Sequence, residues 1–278
     1  MQPLADVAIS CALAGCRALA PLAAAVYVAF DAARYGGRVR ARLGQCEGGS
    51  WRALNAIWHT RFARETINGA LRLGMREAVF RRVAVEDNAE APIGCVLAIC
   101  HTPWARVLAS WNATQGVVLI KAASRWESRA GGRRIGAGVI GLRRITRELR
   151  RGSRVAVVVD CFSDGNGIAM HFLGEPIHVA PGAVRIAAAA GVPLIPTNVR
   201  YARGAIRISF GTSVDPRTLG VAEATRRVVT AFESAVRTDP AVWDGIIRHA
   251  RRSAWTGARA TWVRISMHGR RQGGPAPC

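Results

Sequence analysis

From residue 95 to residue 237, short runs rich in β-branched residues alternate with helical stretches, and this alternation constrains the fold more than any other feature of the sequence. The runs are 95–100 (CVLAIC), 117–120 (VVLI), 155–159 (VAVVV), 168–172 (IAMHF), 193–199 (PLIPTNV) and 205–210 (AIRISF). Several are continuously apolar, as strands covered on both faces must be. Helical spacing predicts helices over about 104–114, 138–151, 182–190 and 221–237, and a last one near 240–256. The expected class is α/β: a mostly buried sheet flanked by helices. Upstream, residues 51–82 carry Leu54, Ile57, Trp58 and Phe62, then Ile67, Leu71, Met75 and Val79, at helical spacing. Two helices are predicted there, breaking near 66–69, after a Gly-rich loop over 36–50.

Charge narrows the partners. The 278 residues include 39 basic and 18 acidic side chains, a formal net charge of +21. Only Lys121 is a lysine, which with the Ala and Gly content reads as coding bias, so Arg is not weighted over Lys. The net charge favours anionic partners such as lipid headgroups, phosphorylated substrates, acidic carrier proteins or nucleic acid. Half the residues are hydrophobic, which excludes a disordered basic tail. The seven cysteines form no CxxC pair and no zinc-type cluster, so reduced core cysteines are expected and no metal site.

Residues 7–16 and 18–30 are uncharged and separated only by Arg17. Together they suit a membrane-associated helix, spanning or surface-lying, since a bilayer core is about 30 Å thick. A mid-membrane Arg17 would cost roughly 2.5–3.5 kcal/mol, which weighs against spanning. The first charge is Asp6, so a secretory signal peptide is not expected. Arg34, Arg38, Arg40 and Arg42 follow, and by the positive-inside rule they hold the rest of the chain on the cytoplasmic side of an inner membrane. The expected organisation is a membrane-associated helix (1–32), a helical part (33–92), an α/β domain (93–256) and a basic tail (257–278).

In open α/β sheets, ligands bind at the carboxyl ends of strands. Two predicted strands end in polar residues: His101 after 95–100 and Asp160 after 155–159. Thr102 suits a helix N-cap and Pro103 a first helical position, so His101 falls where strand turns into helix. A neutral imidazole there can take a proton from an attacking hydroxyl, and nearby N–H groups can steady an oxyanion. A core histidine at a tight turn fits the same position.

Residues 96–111 (VLAICHTPWARVLASW) resemble the His-containing block of the bacterial lipid A biosynthesis acyltransferases, the lauroyl/myristoyl-type lysophospholipid acyltransferases. Residues 142–160, 170–176 (MHFLGEP), 181–196 and 239–252 (DPAVWDGIIRHARR) resemble later blocks of the same family, in the same order. The resemblance implies an acyltransferase-like α/β fold. It also implies that His101 is the general base toward a lipid hydroxyl, which attacks the thioester of an acyl carrier protein or acyl-CoA with no other cofactor. The family has an acid at the fifth residue after its histidine, and here that position is Arg106. Arginine has no acceptor and cannot hold an imidazolium. Another acid must therefore serve, with Asp160 first and Asp164 or Glu127 behind it, or the protein is an impaired lipid- or carrier-binding member of the fold.

The resemblance also directs attention to residues 121–154, where eleven basic side chains face two acids. Arg125 and Arg129 are the first candidates for an acceptor phosphate. Phe172 and Gly174 of the Phe-x-Gly-x-Pro block complete the substrate-binding candidates, although Gly174 and Pro176 also suit a turn. Beyond residue 247, seven arginines interleaved with Trp255 and Trp262 suit an anionic membrane surface. A nucleic-acid partner draws on the same charge but has no motif to support it, and none is expected.

Overall fold

The computed structural model describes residues 2–86, 93–108, 118–121, 134–136, 139–160 and 167–247. Four helices come first: α1 (Gln2–Tyr35), α2 (Arg38–Leu43), α3 (Gly49–Arg72) and α4 (Arg76–Phe80). Strands β1 (Val83–Val85), β2 (Val96–Ile99), β3 (Val118–Lys121) and β4 (Arg134–Gly136) lead to α5 (Val139–Arg150) and β5 (Val155–Val158). A hairpin of β6 (Ile168–Phe172) and β7 (Glu175–Val179), α6 (Gly182–Ala190), β8 (Leu194–Ala202), β9 (Ala205–Phe210) and α7 (Pro216–Thr238) follow among the described residues, before a 3₁₀ turn at Pro240–Val242.

The main sheet has the order β1-β9-β8-β2-β5-β3-β4, with every described pair parallel except β8–β9. This is the expected α/β class. The central pair is buried on both faces. Val96, Ala98, Val155 and Val157 pack under α5, α6 and α7, while Cys95, Leu97 and Ala156 face the other way with Ile195. That two-sided burial is why these strands read as unbroken apolar runs.

The N-terminal helices depart from expectation in instructive ways. The supposed loop over 36–50 contains α2, because Gly36 and Gly37 adopt positive φ and turn the chain back on α1. The carboxylate of Asp31, itself buried in α1, accepts from the backbone N–H groups of Val39 (3.2 Å) and Arg40 (2.8 Å). It satisfies donors that α2 leaves open at its start. α3 does not break at 66–69; Thr66 is held by Cys16 Sγ at 3.2 Å, and the helix ends instead at Gly74, φ 82°. β1, β4 and β7 are additional strands, and the helix expected near 240–256 begins as the 3₁₀ turn.

β6 and β7 form a separate antiparallel ribbon, not part of the main sheet. Its two-residue turn is Leu173–Gly174, with φ 50° and 79°. Positive φ at both positions is the hairpin geometry that matches strand twist, and Gly174 adopts it without a Cβ penalty.

α1 has two unlike faces. Ile9, Leu13, Cys16, Ala20, Ala24 and Tyr27 recur every three or four residues and are buried. Leu4, Val7, Leu19, Leu22, Val26 and Phe30 are exposed. By length and composition α1 is long and apolar enough to cross a membrane. Its inner face nonetheless lies along α3, antiparallel to it, with Cys16 beside Thr66 and Tyr27 beside Trp58.

Candidate active site

β2 and β5 are neighbours in parallel register, Ile99 opposite Val158. Val159 N–H still donates to Ile99 C=O at 2.8 Å, so the pairing persists to the end of both strands. Two residues further, His101 and Asp160 stand side by side. His101 Nδ1 is 2.8 Å from Asp160 Oδ1, and the backbone N–H of His101 donates to the same oxygen at 3.1 Å. A carboxylate only accepts, so the Nδ1–H tautomer of His101 is the one that fits. Nε2 is then the nitrogen that can take a proton.

The second carboxylate oxygen is occupied too. Trp243 Nε1–H donates to Asp160 Oδ2 at 2.6 Å. The Asp160 side chain is only 3% exposed, whereas that of His101 is 63% exposed. The arrangement is thus a buried, fully bonded carboxylate carrying a surface imidazole. Burying a carboxylate is costly unless its oxygens are bonded, and three N–H groups meet that demand.

Trp243 was not among the candidate residues read from the sequence. It is placed by the turn before it: Asp239 Oδ1 accepts from Ala241 N–H at 3.0 Å, and Pro240 follows Asp239 at the first position of the turn. The segment then closes over the end of β2. Cys100 Sγ lies 3.6 Å from Val242 O, and Asp244 N–H donates to His101 C=O at 2.8 Å. Arg64 of α3 reaches the Asp244 carboxylate at 3.2 Å, so the helical layer touches the rim of the site. The available signal was Asp-Pro before a lone tryptophan in 239–243, a capped turn that delivers one large side chain to a fixed place.

The turn after His101 forms as expected. Thr102 Oγ1 accepts from Trp104 N–H at 3.3 Å, with Pro103 between them, and Trp104 is fully buried. Arg106 follows in the first helical turn and is half-buried. Burial also raises the thiol pKa of Cys95 to about 11 and that of Cys100 well above the usual value, the latter aided by Asp160. Neither thiol is prepared as a nucleophile.

Phe172 and Gly174 are in structural positions. Phe172 is fully buried, stacked on Phe232 at 5.4 Å between centroids and edge-on to Trp243 at 5.3 Å. It supports Trp243 from behind. The hairpin tip carrying Gly174 is bound by the protein itself: Arg42 pairs with Glu175 and donates to Leu173 C=O at 3.3 Å, and Glu233 accepts from Leu173 N–H at 3.0 Å. Phe172 thus packs in the core behind Trp243, and Gly174 shapes the tip of the hairpin. Arg125, Arg129, Glu127 and Asp164 lie outside the described residues, as does the chain beyond residue 247.

Residues 124–251 match the family described as bacterial lipid A biosynthesis acyltransferase. Over that stretch, somewhat less than half of its length, the chain is similar to that acyltransferase family. The match supports an acyltransferase that acts on lipid substrates. The matched segment of this acyltransferase includes Asp160 and Trp243 and begins after His101, so the histidine is brought in by strand pairing alone. The structure is similar to the crystal structure of the 1-acyl-sn-glycerophosphate acyltransferase PlsC from Thermotoga maritima, at 17% identity and a TM-score of 0.36, over 79% of this chain and 97% of that one. No curated protein matches the chain in sequence.

Proposed function

We propose that this acyltransferase moves a fatty acyl chain from a thioester donor, acyl carrier protein or CoA, to a hydroxyl of a membrane lipid or glycolipid. His101 is the general base. Its Nε2 takes the hydroxyl proton as the oxygen attacks the thioester carbonyl. The tetrahedral intermediate then collapses, the carbon–sulfur bond breaks, and the imidazolium returns the proton to the departing thiolate. Asp160 fixes the Nδ1–H tautomer and stabilises the imidazolium formed midway, and Trp243 holds Asp160. The thioester is a co-substrate, and no resident cofactor enters these steps.

The observation that carries this reading is the 2.8 Å contact between His101 Nδ1 and a buried Asp160. It also bears on Arg106. With the carboxylate coming from β5, an arginine at the fifth residue after His101 no longer argues for an impaired protein. Arg125 and Arg129 remain the proposed headgroup contacts.

The same proposal includes the membrane. α3 runs beside α1 and carries Arg52, His59, Arg61, Arg64, Glu65 and Arg72. Such a helix cannot enter the hydrocarbon, so α1 cannot cross it while packed on α3. α1 therefore lies in the interface, with Leu4, Val7, Leu19, Leu22, Val26 and Phe30 in the lipid and the α/β part on the cytoplasmic side of the inner membrane. Acyl transfer from acyl carrier protein or acyl-CoA to lipid acceptors, in the parent and in His101→Ala and Asp160→Asn, tests the chemistry. Full activity in both variants would overturn the site assignment.

A further inference from the structure

The main sheet carries helices on both faces, and the two helical layers present unlike surfaces. Ile9 and Leu13 of α1 and Ala63 and Ile67 of α3 cluster with Val199, Tyr201, Ile206 and Ile208 of the sheet. Ile145 and Leu149 of α5 cluster instead with Val96, Ala98, Val155, Val157 and Leu194. Leu194 and Val199 are five residues apart on β8, and side chains alternate along a strand, so the two sets occupy opposite faces. The apolar stripe of α1 therefore looks away from one face of the sheet, and the outer side of α5 away from the other.

That outer side of α5 is cationic. Arg143, Arg144, Arg147, Arg150 and, in the turn that follows, Arg151 are exposed. At about 100° and 1.5 Å per residue they fall within an arc of about 120° and along about 12 Å of the axis. The acid of α5, Glu148, is buried, with Ser153 Oγ donating to it at 3.1 Å. Arg150 donates to Ala189 C=O at 2.9 Å and ties α5 to α6. The other four have no carboxylate partner among the described residues. α7 shows the opposite arrangement: Arg227 pairs with Glu223 at 3.1 Å and Arg237 with Glu233 at 2.6 Å, each four residues apart. On α5 the neighbours at three and four residues, Arg143, Arg144, Arg147 and Arg151, are all of one sign and repel. An anionic partner removes that repulsion.

Position and chemistry select the partner. A bilayer that takes the α1 stripe lies across the sheet from α5. A single phosphate engages one or two guanidinia, not four spread over about 12 Å. α5 has no aromatic side chain on which a nucleic-acid base could stack. An acidic protein face supplies several carboxylates at once, and Leu142, 43% exposed beside Arg143, adds the apolar contact of a protein interface. α5 also leads from the end of β4 back to the start of β5, so it begins at the sheet edge where His101 and Asp160 stand. Arg143 and Arg144 are nearer that edge, Arg151 farther from it. We propose that the arginine face of α5 docks an acidic protein that carries the acyl thioester, so that donor and acceptor reach the site from opposite faces of the sheet. The proposal rests on the acyl-transfer reading and narrows its donor to a protein-borne thioester.

The test uses the full chain and a fluorescently labelled acyl carrier protein of fatty-acid synthesis, with binding followed by anisotropy. Saturable binding at one carrier per chain is expected, weakening as salt rises. Arg143→Glu with Arg147→Glu is expected to weaken it at least tenfold, and Arg143→Gln with Arg147→Gln at least threefold. Arg226→Glu with Arg227→Glu makes the same change of charge on α7 and is expected to leave the affinity within twofold. Retention on anionic vesicles is expected to be the same in the parent and in both α5 variants. Equal losses in the α5 and α7 glutamate variants would reduce the effect to net charge and overturn the proposal. So would unchanged carrier affinity in both α5 variants, vesicle retention lost with the α5 charges, or duplex DNA that binds through α5 more tightly than the carrier does. Acyl transfer measured in parallel, from the carrier and from CoA, separates the two ideas. Transfer that depends on His101 but not on α5 sinks the docking face alone. Carrier binding through α5 without any transfer sinks the acyl-transfer reading and leaves a docking site.

Discussion

At the edge where β2 and β5 end, three N–H groups converge on one buried carboxylate; along α1 and α3, contact is made by apolar area spread over many residues. The first region depends on register. Sliding β5 by one residue against β2 would separate His101 from Asp160 and turn every side chain over. The second depends on face. Small changes of helix position cost little there, because hydrophobic contact has no direction. Chemistry is therefore expected to be concentrated in a few residues at the strand edge, and membrane attachment to be spread along the helix.

The sharpest test is His101→Ala. Loss of a general base lowers turnover by about 10³-fold, within the usual span for such groups. Because the His101 side chain is 63% exposed, thermal stability is expected to hold. A large fall in Tm beside the lost activity would make His101 a structural residue and erase the contrast between the two regions.

Asp160→Asn follows. An amide presents one oxygen and one NH2, so His101 Nδ1–H and Trp243 Nε1–H cannot both keep an acceptor. Turnover is expected to fall about 10²-fold, and stability by about 1–3 kcal/mol, the cost of an unsatisfied buried group. Trp243→Phe removes only the donor to Oδ2 and is expected to cost about tenfold in kcat with KM held, as for a positioning residue. A KM effect alone would place Trp243 in binding instead.

How legible this was in the sequence follows the same contrast. The central strands and α5, α6 and α7 are visible because two-sided burial leaves unbroken apolar runs and amphipathic helices keep their period. β1 and β4 are three residues each, too short to establish an alternation. α2 is hidden because its cap, Asp31, comes from the preceding helix rather than from the residue before it. At the site, His101 and Asp160 are readable as polar residues ending apolar runs. Their pairing is not, since strand order is a property of the sheet. The pairing of Trp243 with Asp160 is hidden for that reason too: the two lie 83 residues apart in the chain.

The helical layer is tested by paired substitution. Leu4→Ser with Val7→Ser removes two exposed apolar side chains of α1. Sedimentation with anionic vesicles in high salt is expected to show about tenfold weaker retention, a fraction of the roughly 1.5–3 kcal/mol each side chain gains on full burial. Tm in solution is expected to change within about 0.5 kcal/mol of stability, as for surface sites. Unchanged retention would move the attachment from α1 to the basic surface alone.

The smallest expected effect lies where the two regions approach each other. His59 of α3 packs edge-on to Tyr201 of β8 at 5.3 Å between ring centroids. Burial, and secondarily the charge of Arg17 on α1, hold its pKa below the usual 6.5. The folded state thus prefers neutral His59 more than the unfolded chain does. That preference contributes stability above about pH 6.5, and the contribution is lost as pH falls through the lowered folded value. The parent is therefore expected to lose more Tm than His59→Gln between pH 7.5 and pH 5.5, and Arg17→Gln to fall between them. Equal losses in all three would mean that α1 places no charge against α3, and that the two helices meet through apolar area alone.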